Sequence, residues 1–225
     1  MTVYKTRPLE FARIDPSEMR SRSEAFLAEL RARRSVREFS DEPVPREVLL
    51  RCIEAAAQAP SGANKQPWTF ALITEPALKH RIRLAAEKEE TEFYQNRATP
   101  EWLADLAPLQ TGPEKDFLDV VPALIAVFAR RTETGTGRKH YYVSESVGIA
   151  CGFLIAALHH AGLVTLTHTP SPMAFLGQIL NRPANEHAYL LLPVGYPAPG
   201  CRVPDIARRP LAESFVEFPS PAAVS

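Results

Sequence analysis

The stretch from Tyr141 to Ala161 constrains the fold more than any other part of this sequence. Beyond Val147 it is apolar on nearly every side of a helix, and Gly162 ends it. A helix without a polar face must be covered over most of its surface. We therefore expect it either at the centre of the fold or in a subunit interface. Its uncharged apolar run, 147–158, is shorter than the roughly 20 residues that a membrane span requires.

The other apolar segments alternate between two periodicities. Runs rich in β-branched and aromatic residues predict strands at 68–74, 123–128, 163–167 and 188–195. Helical spacing of apolar residues predicts helices at 16–31, between Pro45 and Pro60, from Pro76 onward, and at 173–180. Helices that alternate with strands pack on the faces of a sheet. The sequence therefore predicts a layered α/β or α+β fold.

The first helix carries a clear start signal. Asp15 is placed to cap it and Pro16 occupies its first turn. Its apolar residues share one face: Phe26, Leu27 and Leu30.

The tail from 196 to 225 is rich in proline and has little periodicity. Only 214–218 alternates between polar and apolar residues, so this segment could add an edge strand. We expect the extended tail to reach across to another subunit.

Charge, cysteine and histidine content exclude several classes of protein. The 26 basic residues balance 26 acidic ones, so the chain lacks the positive field that binding to nucleic acid or to an anionic membrane requires. The three cysteines form no C-x-x-C pair and the histidines have no ligand spacing, so we expect neither a disulfide scaffold nor a metal site. The first residues show no secretory signal. We predict one domain, 1–225, that is cytoplasmic and acts on a small molecule.

The segment 87–119 breaks the regular pattern. It is rich in charged and aromatic residues, it has no sustained periodicity, and several prolines interrupt it. A segment of this length inside a domain is either a linker or a functional lid. Aromatic side chains are depleted in permanent disorder, so a lid is favoured.

Two loops contain residues suited to a phosphorylated ligand. Arg33–Arg37 (RRSVR) holds three arginines, whose planar guanidiniums donate paired hydrogen bonds to phosphate. Arg208 and Arg209 in the tail could add a second clamp. Ala59–Trp68 (APSGANKQPW) is a turn whose small residues let the backbone approach a ligand. No glycine-rich dinucleotide or P-loop motif is present in the sequence. On these residues alone, the first loop could equally be a solvated basic patch and the second an ordinary connector.

Taken together, these two loops resemble the nitroreductase superfamily of flavin enzymes, whose R-R-S-x-R and P-S-x-x-N-x-Q-P-W elements stand here almost unaltered. The resemblance implies an α+β, nitroreductase-like fold with a central mixed β-sheet flanked by helices. It also implies an intertwined homodimer that binds FMN at its interface, with the C-terminal extension, 196–225, reaching the partner subunit.

A narrower resemblance, from about 33 to 218, is to the iodotyrosine deiodinase family. It rests on the lid and on the segments HYY at 140–142, IACG at 149–152, AGLVTLTHTP at 161–170, LLPVGYP at 191–197 and VPDIARRPL at 203–211. In that family a Glu, a Tyr and a Lys of the lid hold the zwitterionic head of a halotyrosine. The matching residues here are Glu90, Tyr94 and Lys115. Without the resemblance, Glu90 would read as part of a solvated acidic run.

The resemblance also assigns the flavin contacts. The residues that it places against FMN are Arg33, Arg34, Ser35, Val36, Arg37, Ser61, Thr167, His168, Thr169 and Arg208. Ala63 would offer its backbone N–H to the substrate phenolate. The Thr169 hydroxyl would bond the flavin N5, which favours one-electron steps and makes Thr169 the catalytic candidate. His168 departs from the Thr common in animal members, which leaves the role of its side chain open.

The resemblance implies a soluble, FMN-dependent enzyme that converts 3-iodotyrosine to tyrosine and iodide, with a reductase or NAD(P)H as electron donor. Two alternatives stay open from the residues. One is a general NAD(P)H-dependent nitroreductase or quinone reductase on the same fold, and the other is a non-catalytic module that binds flavin or amino acids.

Overall fold

The computed structural model describes residues 4–218. Its helices are α1 Pro16–Ala32, α2 Arg46–Ala56, α3 Pro76–Glu92, α4 Pro100–Leu106, α5 Phe117–Val120, α6 Val143–His160 and α7 Ala174–Ile179. Its strands are β1 Trp68–Ile73, β2 Ala123–Arg130, β3 Val164–Thr165 and β4 Glu186–Gly195. The four strands and five helices predicted from the apolar runs are therefore present, with β2 and β4 longer and β3 shorter than the sequence suggested.

The four strands form one sheet in the order β1-β2-β4-β3. All three ladders are antiparallel, and a single parallel bridge between Ser35 and Thr165 gives the sheet its mixed character. That bridge ties the arginine loop to β3, since the Val36 N–H donates to the Thr165 carbonyl at 3.1 Å.

Two hydrophobic clusters cover the two faces of the sheet. Side chains of β2 alternate between them, with Ile125 and Val127 on the face of α2 and α6, and Leu124 and Phe128 on the face of α3 and α7. Because both faces are covered, β2 reads as a continuous apolar run rather than an alternating one.

Helix α6 is both a core helix and a surface helix. Its buried face includes Val147, Leu154 and Leu158. On the opposite side Ile149 and Phe153 stay 42% and 44% exposed. By length and composition α6 could cross a membrane, a test that the core helix of a soluble protein also meets. The sequence expectation had measured only its uncharged run, whereas the helix extends a turn further at its start.

Helix α1 begins as predicted and lies on the surface of the single chain. The Asp15 carboxylate accepts the N–H groups of Ser17 and Glu18, as a cap does. The apolar face of α1 is not covered within this chain, because α1 buries no residue and Phe26 and Leu27 are 55% and 47% exposed.

The tail runs over the surface without adding a strand. Within its described part, the only regular element is a 3₁₀ turn at Leu211–Glu213. The possible edge strand at 214–218 is not formed, and residues 219–225 lie outside the described part of the chain.

Candidate active site

The arginine loop lies at the end of α1 and lines a cavity of about 730 Å³. The Arg34 guanidinium donates to the Pro204 carbonyl, which brings the tail beside the loop. Burial, with Arg208 and Arg34 as neighbouring cations, lowers the pKa of Arg33. Among the residues at 4–218, no carboxylate lines this cavity. A partly buried cluster of arginines of this kind suits an anionic group such as phosphate.

The segment that follows β3 is extended, and its side chains alternate between exposed and buried positions. Thr167 and Thr169 are exposed, whereas His168 between them is buried, as expected for alternate side chains of extended chain. Thr167 lines the arginine cavity, and all three residues line a second cavity beside it. Burial, with Lys115 and Arg37 nearby, lowers the pKa of His168 to about 3, so the imidazole is neutral.

The second cavity, of about 380 Å³, lies under the lid and contains Glu90, Tyr94 and Lys115. Lys115 Nζ lies 3.4 Å from Glu90 Oε2, with 4% and 14% of the two side chains exposed. The Tyr94 hydroxyl donates to the Thr111 carbonyl at 3.1 Å, and burial raises the pKa of Tyr94. One small space thus holds a cation, an anion and a hydroxyl, which are the partners that an amino-acid head group needs.

The lid itself is helical. Helix α3 continues through Glu92 into a π-helix at Phe93–Arg97, and α4 and a 3₁₀ turn at Ala107–Leu109 follow. These helices were not predicted from the sequence, because prolines at 100 and 108 interrupt the periodic pattern. Both prolines occupy the first turn of a new helix, where proline is tolerated.

Sequence reasoning missed several residues of the cavity under the lid. Its walls include Phe93, Trp102 and Phe117, and Phe93 lies edge-on to Trp102 at 4.8 Å between ring centroids. Arg97 also reaches this cavity. The aromatic content of the lid was the available signal, but it did not say which rings turn inward.

The two cavities adjoin. Arg37, Thr111 and Thr167 line both of them. A cofactor held by its phosphate in the arginine cavity and an amino acid held under the lid would therefore lie next to each other.

Three of the predicted contact residues lie elsewhere in this chain. The Val36 side chain is 4% exposed and packs in the core, so only its backbone is available near the arginines. Ser61 and Ala63 line neither cavity. They belong to a loop anchored to the start of α6, where the Gly62 N–H donates to the Ser146 hydroxyl at 3.3 Å.

The backbone of that loop is strained. Ala63, Asn64 and Gln66 have φ values of 49°, 52° and 47°, in the left-handed region that favours glycine. Strain of this kind persists where the surroundings impose it and is frequent in ligand-binding segments.

Cysteines and histidines take structural places. Cys52 and Cys151 are buried, and burial raises the pKa of Cys151 to about 12. His159 and His160 contact Glu29 of α1. Between residues 4 and 218, no group of three or more potential ligand side chains is placed to hold a metal ion.

Comparison with known proteins agrees with this arrangement. Residues 30–196 match the model of the Nitroreductase family. The chain is 52% identical over 214 residues to the iodotyrosine deiodinase of Haliscomenobacter hydrossis, an alignment that covers 94% of this chain and 96% of that protein. It is 47% identical to the iodotyrosine deiodinase of Danio rerio, covering 89% of this chain and 69% of the relative.

A solved structure is similar as well. The crystal structure of oxidized iodotyrosine deiodinase bound to FMN and 3-iodo-L-tyrosine superposes with a TM-score of 0.74 at 31% identity, over 87% of this chain and 99% of that one. The predicted α+β, nitroreductase-like fold is confirmed.

Proposed function

The chain belongs to the nitroreductase family, and to the iodotyrosine deiodinases within it, and we propose that it removes halogen reductively from halotyrosines with FMN as cofactor. The observation that carries this proposal is the buried Lys115–Glu90 pair under the lid, beside a cavity lined by arginines. In the reaction, 3-iodotyrosine gains two electrons and one proton and yields tyrosine and iodide.

The arginine cavity fits FMN. Arg33, Arg34 and Arg208 would hold its phosphate, and the lowered pKa of Arg33 reports a cluster that gains from an anion. Bound and reduced, FMN supplies the two electrons that the reaction consumes. The exposed Thr169 would reach the flavin N5 with its hydroxyl, because extended chain turns it to the same side as Thr167.

The cavity under the lid recognises the amino-acid head. We assign the Lys115 ammonium to the substrate carboxylate, the Glu90 carboxylate to its ammonium, and the Tyr94 hydroxyl to either. A lid closed over this head excludes water, which strengthens each of these interactions.

The phenolate oxygen of the substrate needs a hydrogen-bond donor. We assign the Ala63 N–H to the phenolate, as the resemblance implies. A proton adds at the halogenated ring carbon, and the ring then accepts two electrons and expels halide. Holding the oxygen in place fixes which carbon lies over the flavin.

A homodimer would complete this site. Ser61 and Ala63 lie away from the arginines of their own chain, so we infer that they serve the site of the partner. The outward face of α6, with Ile149 and Phe153, and the apolar side chains of α1 supply an apolar surface for such an interface. We propose that the tail from 196 reaches across it.

Two further assignments accompany this proposal. We infer that the electrons come from a reductase or from NAD(P)H, since the reaction needs a reduced flavin at each turnover. We also infer a cytoplasmic location, because three cysteines that form no C-x-x-C pair suit a reducing compartment.

Anaerobic turnover tests the proposal. Holoenzyme reduced with dithionite is mixed with 3-iodotyrosine, and tyrosine and iodide are quantified. We expect the two products in equal amounts. A protein that releases no iodide but reduces nitroaromatics or quinones with NAD(P)H would instead be a general nitroreductase, and one that only binds tyrosines would be a binding module.

A further inference from the structure

Lys115 is held at both of its ends by one turn of α3. Its ammonium lies near the Glu90 carboxylate, while its backbone N–H donates to Glu87 Oε1 at 2.8 Å. Residues three apart on a helix share a face, so Glu87 and Glu90 point to the same side. Lysine is seldom buried without partners. Here α3 supplies one for the charge and one for the backbone, and the ammonium also donates to the Gly112 carbonyl.

Glu87 is itself fixed by Arg83. The Arg83 Nε donates to the same Oε1 at 2.9 Å, and the two side chains are 24% and 21% exposed. Arg83 also pairs with Asp116 and, at 2.9 Å, with Asp119. One guanidinium thus joins α3 to the segment that closes the lid.

A buried lysine secures the same segment from below. Lys79 Nζ donates to the carbonyls of Asp119 and Val121. Together with Arg83, it anchors the chain from Asp116 to Val121 against α3. Lys115 therefore lies at the fixed base of the lid, whereas Tyr94 lies beyond the end of α3.

Glu87 takes no direct part in either cavity. Its carboxylate faces the Lys115 backbone instead, so any influence on the ligand passes through the lysine. Nothing in the sequence distinguishes Glu87 within the acidic run of 87–92.

We propose that Glu87 is a positioning residue that fixes the Lys115 ammonium for the substrate carboxylate by accepting the Lys115 backbone N–H. The proposal rests on the function proposed above. It predicts that Lys115 is ordered before the ligand binds, because Arg83 and Glu87, which hold its backbone, belong to the same chain.

The test compares Glu87→Ala and Glu87→Gln with Glu92→Ala, a control on the same helix whose exposed side chain bonds only Asn96. The Kd of oxidised holoenzyme for 3-iodotyrosine is read from flavin fluorescence. Hydrogen exchange of 112–119 is measured without ligand. We expect Glu87→Ala to weaken binding about tenfold and to speed exchange, since a buried N–H loses its acceptor.

Glu87→Gln keeps an acceptor oxygen, so we expect its Kd to stay within about threefold of the parent, and Glu92→Ala to match the parent. Should Glu87→Ala fail to fold, Glu87→Met removes the acceptor and keeps the volume. Parent-like binding and exchange in the variant without an acceptor, or a Gln variant as defective as Ala, would overturn the proposal. If the parent neither binds nor dehalogenates halotyrosine, the proposed function fails, and the exchange data alone still decide whether Glu87 orders Lys115.

Discussion

Lys115 Nζ lies 3.4 Å from Glu90 Oε2, and both side chains are largely shielded from water. Burial lowers the pKa of Lys115, and the Glu90 carboxylate acts in the opposite direction. A buried pair of opposite charges contributes little net stability, because desolvation offsets much of the attraction. Its value here is that a zwitterion can replace each partner with one of its own charges.

Removing either charge should therefore weaken substrate binding. We expect Lys115→Met or Glu90→Gln to weaken 3-iodotyrosine binding by about 2–5 kcal/mol, since each leaves a buried charge without its partner. Flavin fluorescence titration of the holoenzyme measures this. FMN content should stay unchanged, and variants that bind and turn over iodotyrosine like the parent would contradict the assignment.

Loss of an arginine should affect FMN but not riboflavin. We expect Arg208→Gln to weaken FMN binding by about 1.5–3 kcal/mol, the range for a hydrogen bond to a charged group. Riboflavin lacks the phosphate, so its Kd should not change. Equal losses for both flavins would show that Arg208 acts elsewhere than at the phosphate.

A charge on the outward face of α6 should separate the proposed dimer. Phe153 is 44% exposed in the single chain, and Phe153→Glu would bury a carboxylate in the interface. We expect sedimentation to show a monomer that retains less FMN. Leu84→Glu is the matched control, because Leu84 is 53% exposed on α3. If the Phe153→Glu protein sediments like the parent, the interface does not include this face of α6.

The free energy of unfolding should decrease as the pH is lowered, because His168 is buried as a neutral imidazole. Its pKa is about 3 in the folded chain and about 6.5 when unfolded, so between these values only the unfolded state binds the proton. Stability is fully present above pH 6.5 and declines as the pH falls toward 3. At pH 5 this one group costs about 2 kcal/mol.

Urea unfolding at pH 7 and pH 5 checks this, with His168→Gln as the comparison because Gln does not titrate. The parent should lose about 2 kcal/mol more than the variant over this range, since the other titrating groups are common to both. Parallel pH profiles would show that His168 is not buried as a neutral imidazole.

Local rules made most of the fold predictable. The Asp15 cap and the prolines at the starts of α1 and α3 placed those helices within a residue or two. The strand predicted at 163–167 ended before His168, so only the structure showed that Thr167 and Thr169 are exposed and that His168 between them is buried. The roles of Ala63, Ser61 and Thr169 stay predictions, because they concern a ligand and a second subunit.

The sequence by itself determined where most of the helices and strands lie, the arginine loop and, by resemblance, the family. These depend on neighbours along the chain, through capping, backbone preference and side-chain periodicity. The tertiary structure alone decided that α1 buries no residue within the single chain, that Ser61 and Ala63 lie away from the arginines, and that Glu87 holds the Lys115 backbone. Each of these depends on how segments far apart in sequence pack together, and the periodicity of a single segment carries no information about its distant partner.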